Sequence, residues 1–142
     1  MELHGKTAFV TGPAKGMGSA ISMALAREGA NLVLAGRDLA PIEAVAQEVS
    51  ALGVQAIVAA RADPEAAEGI AAFGQIDILV NVAGGTGPLG KSGIETTPEE
   101  FDQIIELNLK GCFLTMRAVL PGMVAQGGGK IVNVGGSFGM RG

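Results

Sequence analysis

Short apolar runs alternate with amphipathic helical segments along the whole chain. Five of these runs have the length of a buried strand: Lys6–Thr11, Asn31–Ala35, Val54–Ala60, Ile76–Val82 and Lys130–Val134. Between them, apolar residues recur every three or four positions, which is the spacing of a helix that buries one face. Strands that alternate with helices form a parallel sheet through right-handed crossovers. The pattern predicts a single α/β domain over residues 1–142, with helices on both faces of its sheet.

Four helices are predicted between these strands. Glycines mark the ends of the first two helices. Each of the other two is predicted to begin at an N-cap residue that is followed by proline. The last of the four begins with Thr-Pro-Glu-Glu, which is typical of a capping box. The predicted extents are Met17–Gly29, Leu39–Leu52, Asp63–Phe73 and Thr97 to about Leu120.

The composition excludes several classes of protein. With 48% hydrophobic residues and 17% charged residues, the chain is too apolar to be disordered, and its net charge of -4 argues against nucleic-acid binding, which needs surplus Lys and Arg. The apolar runs are too short to cross a bilayer, and residues 1–5 lack the order of a secretory signal, so we expect a cytoplasmic protein without membrane contact. One cysteine and one histidine exclude a Cys/His zinc set, and we expect no metal.

The segment Thr11–Gly18 lies where the first strand passes into the first helix. Its glycines allow a phosphate to approach the backbone, and the helix start offers free N–H groups and the positive end of a dipole. A tight turn without a ligand is the alternative, but the strand–turn–helix setting favours a pyrophosphate site. The predicted binding residues are Thr11, Gly12, Lys15, Gly16, Met17 and Gly18.

Four motifs of the chain, the glycine turn among them, occur in a fixed order. They are the G-x-x-x-G-x-G spacing after Thr11, the sequence Asn-Val-Ala-Gly at Asn81–Gly84, Asn108 within Leu107–Gly111, and Ile-Val-Asn-Val at Ile131–Val134. In these features the chain resembles the short-chain dehydrogenase/reductase family, over its whole length but over only about half of a family domain. The resemblance implies a Rossmann-type doubly wound parallel sheet with strand order 3-2-1-4-5, truncated at its C-terminal side. It also implies NAD(P)-dependent hydride transfer on an alcohol or carbonyl.

The resemblance also assigns cofactor contacts beyond the glycine turn. Asn81, Ala83 and Gly84 are expected to border the cofactor, with Asn81 also tying neighbouring strands together. Val82 departs from the second asparagine that the family has there. Asp63 corresponds to an aspartate that contacts adenine, or it serves only as a helix N-cap.

Two residues are expected in the catalytic set. Asn108 lies on a predicted apolar stripe, where a buried amide needs partners; the family uses it to hold a water in a proton relay, and a structural core amide is the alternative. Ser137 lies one position after the family's serine, which aligns with Gly136. Either a backbone shift lets Ser137 substitute, or the site lacks that hydroxyl. The stripe is formed by Phe101, Ile104, Ile105, Cys112, Met116 and Val119.

The end of the second strand bears on the choice of cofactor. An acidic residue there would bind the ribose hydroxyls of NAD and repel a 2′-phosphate. Gly36 and Arg37 stand there instead, and Lys15 lies in the glycine turn. In similar family members such basic residues accompany NADP(H), so we expect NADP(H) over NAD(H), with a solvated surface role for Arg37 as the alternative.

The chain contains no tyrosine, whereas the family uses an Asn-Ser-Tyr-Lys set with tyrosine as acid/base. General acid/base catalysis contributes roughly 10²–10⁴-fold. We therefore predict the cofactor-binding part of an oxidoreductase, inactive alone. The alternative is a non-catalytic NADP(H)-binding protein or partner subunit; a methyltransferase is disfavoured by Gly36 and Arg37.

The family also suggests how the complete protein assembles. Its long fourth helix commonly lies in a dimer interface, so we expect a homo-oligomer when the domain is complete. In the isolated chain, we expect exposure of Phe113, Met116 or Val119 to drive association or aggregation, and solubility to be poor.

Overall fold

The computed structural model describes residues 1–60, 73–88 and 90–136. Five strands form one parallel sheet in the order β3-β2-β1-β4-β5, which confirms the predicted order. Each strand lies within its predicted run and is equal to it or shorter. The strands are β1 Thr7–Thr11, β2 Asn31–Ala35, β3 Ala56–Ala59, β4 Ile78–Asn81 and β5 Lys130–Asn133. Asp63, Ser137 and nearly all of the helix predicted at 63–73 lie outside the described residues.

The described helices follow the predicted alternation, with one difference in the last of them. They are α1 Gly16–Arg27, α2 Leu39–Ser50, α3 Pro98–Ile105 and α4 Gly111–Ala125. A π-helical segment, Glu106–Lys110, joins α3 to α4. The helix predicted from Thr97 to about Leu120 is therefore an α–π–α helix that ends five residues later.

The sheet buries apolar side chains on both of its faces. Successive strand residues point to opposite sides, and helices cover the described strands on each, so the strands read as continuous apolar runs. One core cluster packs under α1 and α2, and includes Val10, Leu34 and Ile42. The other packs under α4, and includes Phe9, Leu79 and Val119.

This second cluster corrects one prediction about α4. Val119 was predicted to be exposed, but it is only 1% exposed because it faces the sheet. Phe113 is 55% exposed, as predicted, and Met116 is half-buried against the core. The outward face of α4 therefore includes Phe113 and excludes Val119.

The carboxyl ends of the strands meet at one edge of the sheet. Thr11 is in register with Ala35 on one side and with Asn81 on the other, and Asn81 is in register with Asn133. The chain leaves β1 for α1 here, and β2 and β4 flank β1 on opposite sides. Such a switch point opens a crevice at the carboxyl edge of a doubly wound sheet, where ligands bind in open α/β folds.

No helix among the described residues is long and apolar enough to span a bilayer. Within the same residues, no three His, Cys, Asp or Glu side chains come together in a way that could hold a metal ion.

Candidate functional site

The glycine turn packs directly on backbone at the end of β4. A Cβ at Gly12 would lie 2.8 Å from the backbone nitrogen of Ala83, and Gly12 itself has a φ of 67°. A Cβ at Gly18 would overlap the carbonyl oxygen of Gly12 and lie 3.0 Å from Cα of Pro13. Because backbone cannot rotate aside as a side chain can, both positions require glycine. The turn is thereby held close against the loop after β4.

The start of α1 is left without a cap of its own. Lys15 is the N-cap residue with extended backbone, its side chain makes no capping hydrogen bond, and the first turn contains no acidic residue. Lys15, Gly16 and Met17 are all exposed, and the direction in which Gly16 would carry a Cβ is open space. The first N–H groups of a helix have no partner within it. Here they are directed at the crevice, together with the positive end of the helix dipole.

Thr11 connects the glycine turn to the loop Val82–Gly85, called here the β4 loop. The buried Thr11 hydroxyl oxygen accepts hydrogen bonds from the backbone nitrogens of Val82 and Ala83, each at 3.2 Å. The cofactor contact predicted for Thr11 as part of the glycine turn stays a prediction; in the structure its side chain faces the β4 loop. Its contribution to the site is to fix that loop beside Gly12.

Asn108 holds the other end of the β4 loop. Its Oδ1 accepts from the backbone nitrogen of Gly85 at 3.0 Å, and its Nδ2 donates to the Gly85 carbonyl oxygen at 2.9 Å. The same Nδ2 also lies 3.0 Å from the carbonyl oxygen of Ile104. A Cβ at Gly84 would lie 2.7 Å from Oδ1, so glycine at that position makes room for this amide. The predicted cofactor turn and the predicted catalytic asparagine are thus joined through one short loop.

The prediction that Asn108 is buried on an apolar stripe is wrong. Asn108 is exposed, and so are Phe101 and Ile105 of the predicted stripe. The cause is the π-helical segment that contains Asn108, because i→i+5 bonding inserts an extra residue and rotates α4 about the helix axis relative to α3. Such segments are frequent at functional sites. The amide is nevertheless satisfied, by backbone rather than by the core.

A chain of polar side chains, buried at Thr115 and Asn81 and exposed at Asn133, runs from α4 across the ends of β4 and β5. Asn81 is 2% exposed; its Nδ2 donates to Oδ1 of Asn133 at 2.8 Å, and its Oδ1 accepts from the Thr115 hydroxyl at 2.7 Å. The prediction that Asn81 ties neighbouring strands together is confirmed. Thr115 was not predicted, although a signal existed: it lies four and eight residues before Val119 and Met123, which form the buried face of α4.

The end of β2 places a cation beside the glycine turn. Gly12 donates its N–H to the Ala35 carbonyl oxygen at 3.0 Å, so the chain continues from Ala35 into Gly36 and Arg37 next to the turn. Arg37 and Lys15 are exposed, and neither makes an ion pair with a carboxylate among the described residues. Backbone N–H groups, a close glycine approach and two exposed cations fit a ligand with a pyrophosphate and a further phosphate.

Comparison with known proteins agrees with this geometry. Residues 6–142 match the family model described as short chain dehydrogenase. Sorbitol dehydrogenase of Cereibacter sphaeroides is 38% identical over 149 residues, which cover 100% of this chain and 57% of that protein. A metagenomic short-chain oxidoreductase solved in complex with NADP is 37% identical with a TM-score of 0.86, over 94% of this chain and 63% of that one.

A solved relative with the other dinucleotide is similar as well. NAD⁺-bound xylitol dehydrogenase is 27% identical with a TM-score of 0.90, over 100% of this chain and 57% of that one. The chain thus spans about three-fifths of the length of these three relatives. The family model, the sequence identity and the shared fold lead to one conclusion: this chain belongs to the short-chain dehydrogenase family.

Proposed function

We propose that this chain is the cofactor-binding part of an oxidoreductase that interconverts an alcohol and a carbonyl, and that it prefers NADP(H). The observation that carries the proposal is the start of α1, which has neither a capping side chain nor an acid. It follows a glycine turn that packs against the backbone of Ala83 at Gly12, while the space beside Gly16 is open. A pyrophosphate supplies the missing acceptors for these N–H groups.

The proposed cofactor preference rests on charge at the end of β2. NADP(H) carries a 2′-phosphate that NAD(H) lacks, and a cation beside a phosphate forms a strong charge-assisted hydrogen bond. Arg37 and Lys15 are the exposed cations here, and Gly36 contributes no acid that would repel the phosphate. Relatives with NADP and with NAD are both known, so the preference is carried by these residues alone.

In this proposal, a bound nicotinamide would supply or accept the hydride, and the role of Asn108 is to hold the β4 loop in place. Its Oδ1 and Nδ2 both bond to Gly85, so the amide fixes the β4 loop along the crevice. The water-relay role of Asn108 and the catalytic role of Ser137 stay predictions. Asp63 stays a predicted adenine contact.

A second candidate function is favoured by the composition of the chain. None of its 142 residues is a tyrosine, so these residues contain no phenol to act as proton donor. We expect negligible turnover from this chain alone, as for a cofactor-binding protein or a partner subunit without catalysis. Because both functions predict no turnover from this chain alone, oxidation of NADPH with simple aldehydes or ketones is measured on a longer protein that joins this chain to a segment with a tyrosine proton donor. The main proposal expects turnover there, and the non-catalytic function expects none.

The outward face of α4 supports the further proposal that the chain associates. Phe113, Leu120 and Val124 are exposed on it, and together with Met116 and Pro121 they line a shallow apolar groove. Exposed apolar patches of this kind mark interaction surfaces. We expect self-association in size-exclusion chromatography; a monodisperse monomer would contradict this.

Binding of reduced cofactor tests the main proposal directly. The chain has no Trp and no Tyr, so the fluorescence of NADPH or NADH can be titrated with little protein background. We expect NADPH to bind more tightly than NADH. Arg37→Gln should weaken NADPH binding by about tenfold and leave NADH binding nearly unchanged, because only NADPH carries the extra phosphate. Arg27→Gln, at the far end of α1, is the control; equal affinities for both cofactors in the wild-type chain would overturn the preference.

A further inference from the structure

At the end of β2, packing around position 36 bears on cofactor choice in addition to the charges of Lys15 and Arg37. We infer that Ile42 restricts which residue position 36 can hold, because its δ-methyl fills the space that any side chain at position 36 needs. It thereby excludes the acid that would select NAD(H) at this position. The inference rests on the proposed function and deepens it by naming the residue that prevents position 36 from holding a side chain.

The contact is short and specific to one atom. A Cβ at Gly36 would lie 2.7 Å from Cδ1 of Ile42, a distance that real Cβ atoms do not show. The next neighbours are at ordinary contact distance: Cγ1 of Ile42 at 3.8 Å and Cδ of Pro13 at 3.9 Å. Gly36 does not have a positive φ, so its backbone suits any residue. Glycine is required here by the space that Ile42 takes, and not by the backbone.

Neither partner can readily move away. Ile42 is 1% exposed and belongs to the core cluster under α1 and α2. It lies in α2, where its branch at Cβ strongly prefers one χ1 rotamer. Only rotation about χ2 would then move Cδ1, and in a close-packed core that rotation would press the methyl against other buried side chains. The backbone at position 36 is also held, because Gly36 donates its N–H to the Ala59 carbonyl oxygen at 3.2 Å. A side chain at position 36 therefore fits without a packing cost only when the δ-methyl is removed.

Valine at position 42 removes that methyl and little else. Ile42→Val deletes Cδ1 and keeps the branch at Cβ, so the nearest remaining atom of residue 42 would sit near 3.8 Å from a Cβ at position 36. An aspartate at position 36 should then be able to adopt a low-energy rotamer. The two substitutions should consequently act together on cofactor choice and not independently.

The test is a cycle of four 142-residue chains: wild type, Gly36→Asp, Ile42→Val and the double variant, each titrated with NADPH and NADH. Ile42→Val alone should change either dissociation constant by less than about twofold. Gly36→Asp alone should weaken NADPH binding by about tenfold, because the aspartate repels the 2′-phosphate, and it should not strengthen NADH binding. The double variant should bind NADH about tenfold more tightly than Gly36→Asp alone. Additive effects, with NADH gained equally in both aspartate variants, would overturn the inference.

A cofactor-free measurement separates the contact from the proposed function. Gly36→Ala introduces only the Cβ, and it should lower the thermal midpoint clearly when residue 42 is Ile and much less when it is Val. Equal lowering in both backgrounds would refute the contact. A wild-type chain that binds neither cofactor would refute the proposed function and the specificity role with it, whereas tight NADPH binding with an additive cycle refutes the role of Ile42 alone.

Discussion

Two helices of this chain begin in opposite ways. At the start of α3, the Thr97 hydroxyl accepts from the Glu100 backbone nitrogen at 3.2 Å, and the Glu100 carboxylate accepts from the Thr97 backbone nitrogen at 3.0 Å. Glu99 and Glu100 also place negative charge in that first turn. At the start of α1, Lys15 makes no capping bond and no acid is present.

The difference separates a helix start that is complete by itself from one that needs a ligand. Each helix exposes the same unsatisfied N–H groups and the same positive dipole end. In α3, side chains within four consecutive residues accept hydrogen bonds from N–H groups at the helix start and place negative charge at the dipole end, so no ligand is needed there. α1 has neither a capping side chain nor an acid in its first turn. It begins at the sheet edge where the glycine turn, the β4 loop and two cations lie close together. A ligand-binding function is therefore expected at α1 and not at α3.

The largest expected effect comes from closing the backbone approach that leaves α1 accessible. Gly18→Ala forces its Cβ against the Gly12 carbonyl, and no side-chain rotation relieves the overlap. We expect the free energy of unfolding to fall by about 3 kcal/mol and NADPH affinity to fall by about 100-fold. Urea unfolding and NADPH titration measure the two effects.

Gly53→Ala is the control for this prediction. Gly53 has a positive φ, 87°, but its Cβ would meet no atom within 4 Å. It should cost only about 1 kcal/mol, for the left-handed backbone, and leave affinity unchanged. A Gly18→Ala chain as stable as Gly53→Ala would show that the turn is not held as tightly as described.

The second prediction gives α1 the kind of cap that α3 has. Lys15→Asp places a carboxylate at an N-cap residue that already has extended backbone. Stability should rise by about 1 kcal/mol, while NADPH affinity should fall by about tenfold because the cap takes the N–H groups and repels phosphate. Lys15→Ser should stabilise similarly with a smaller loss of affinity. Stability and affinity that change in the same direction would contradict the interpretation of the uncapped start.

The third prediction removes the cap of α3. Thr97→Ala should lower the free energy of unfolding by about 1 kcal/mol, because the Glu100 N–H loses its acceptor. NADPH affinity should stay within about twofold of wild type, since this helix start offers nothing to the cofactor. Thr97→Ser keeps the hydroxyl and should restore stability. A clear loss of affinity in Thr97→Ala would mean that the two helix starts are not functionally distinct.

The same contrast explains what could be predicted from sequence. The capping box at Thr97 is local, and it is confirmed in each of its bonds. The strand order is also confirmed, because alternating runs and right-handed crossovers leave few arrangements. Interactions between distant segments could not be predicted in this way. The bonds from Asn108 to Gly85 and the close approach of Ile42 to Gly36 depend on packing that no periodic pattern encodes.

The errors on the helix that carries Asn108 have one physical source. A stripe with a 3.6-residue period continues smoothly through Glu106–Lys110, but the π-helical segment there does not. Residues before it, such as Phe101, accordingly turn outward, while Thr115 and Val119 after it turn inward. Such π-helical turns are frequent at functional sites, and helix propensity along the sequence does not reveal them.

The smallest expected effect concerns the charge in the α3 cap. The hydrogen bond from Lys91 and the Thr97 backbone N–H hold the pKa of the Glu100 carboxyl below its ordinary value of 4.5. Since the folded-state pKa is the lower one, the stabilisation is fully present above pH 4.5 and is lost as the pH falls through the folded-state pKa. Glu100→Gln should therefore be less stable than wild type at neutral pH, and the difference should shrink on acidification.

The matched control for this titration is Glu99→Gln, which removes an acid from the same first turn without touching Lys91 or Thr97. Both substitutions weaken the favourable interaction with the helix dipole, so only the specific bonds of Glu100 distinguish them. Urea unfolding across the acid range should show a larger pH-dependent difference for Glu100→Gln than for Glu99→Gln. Equal profiles would mean that the bonds of Glu100 to Lys91 and to the Thr97 N–H add nothing beyond its charge, and the Thr97 hydroxyl alone would then distinguish the start of α3 from that of α1.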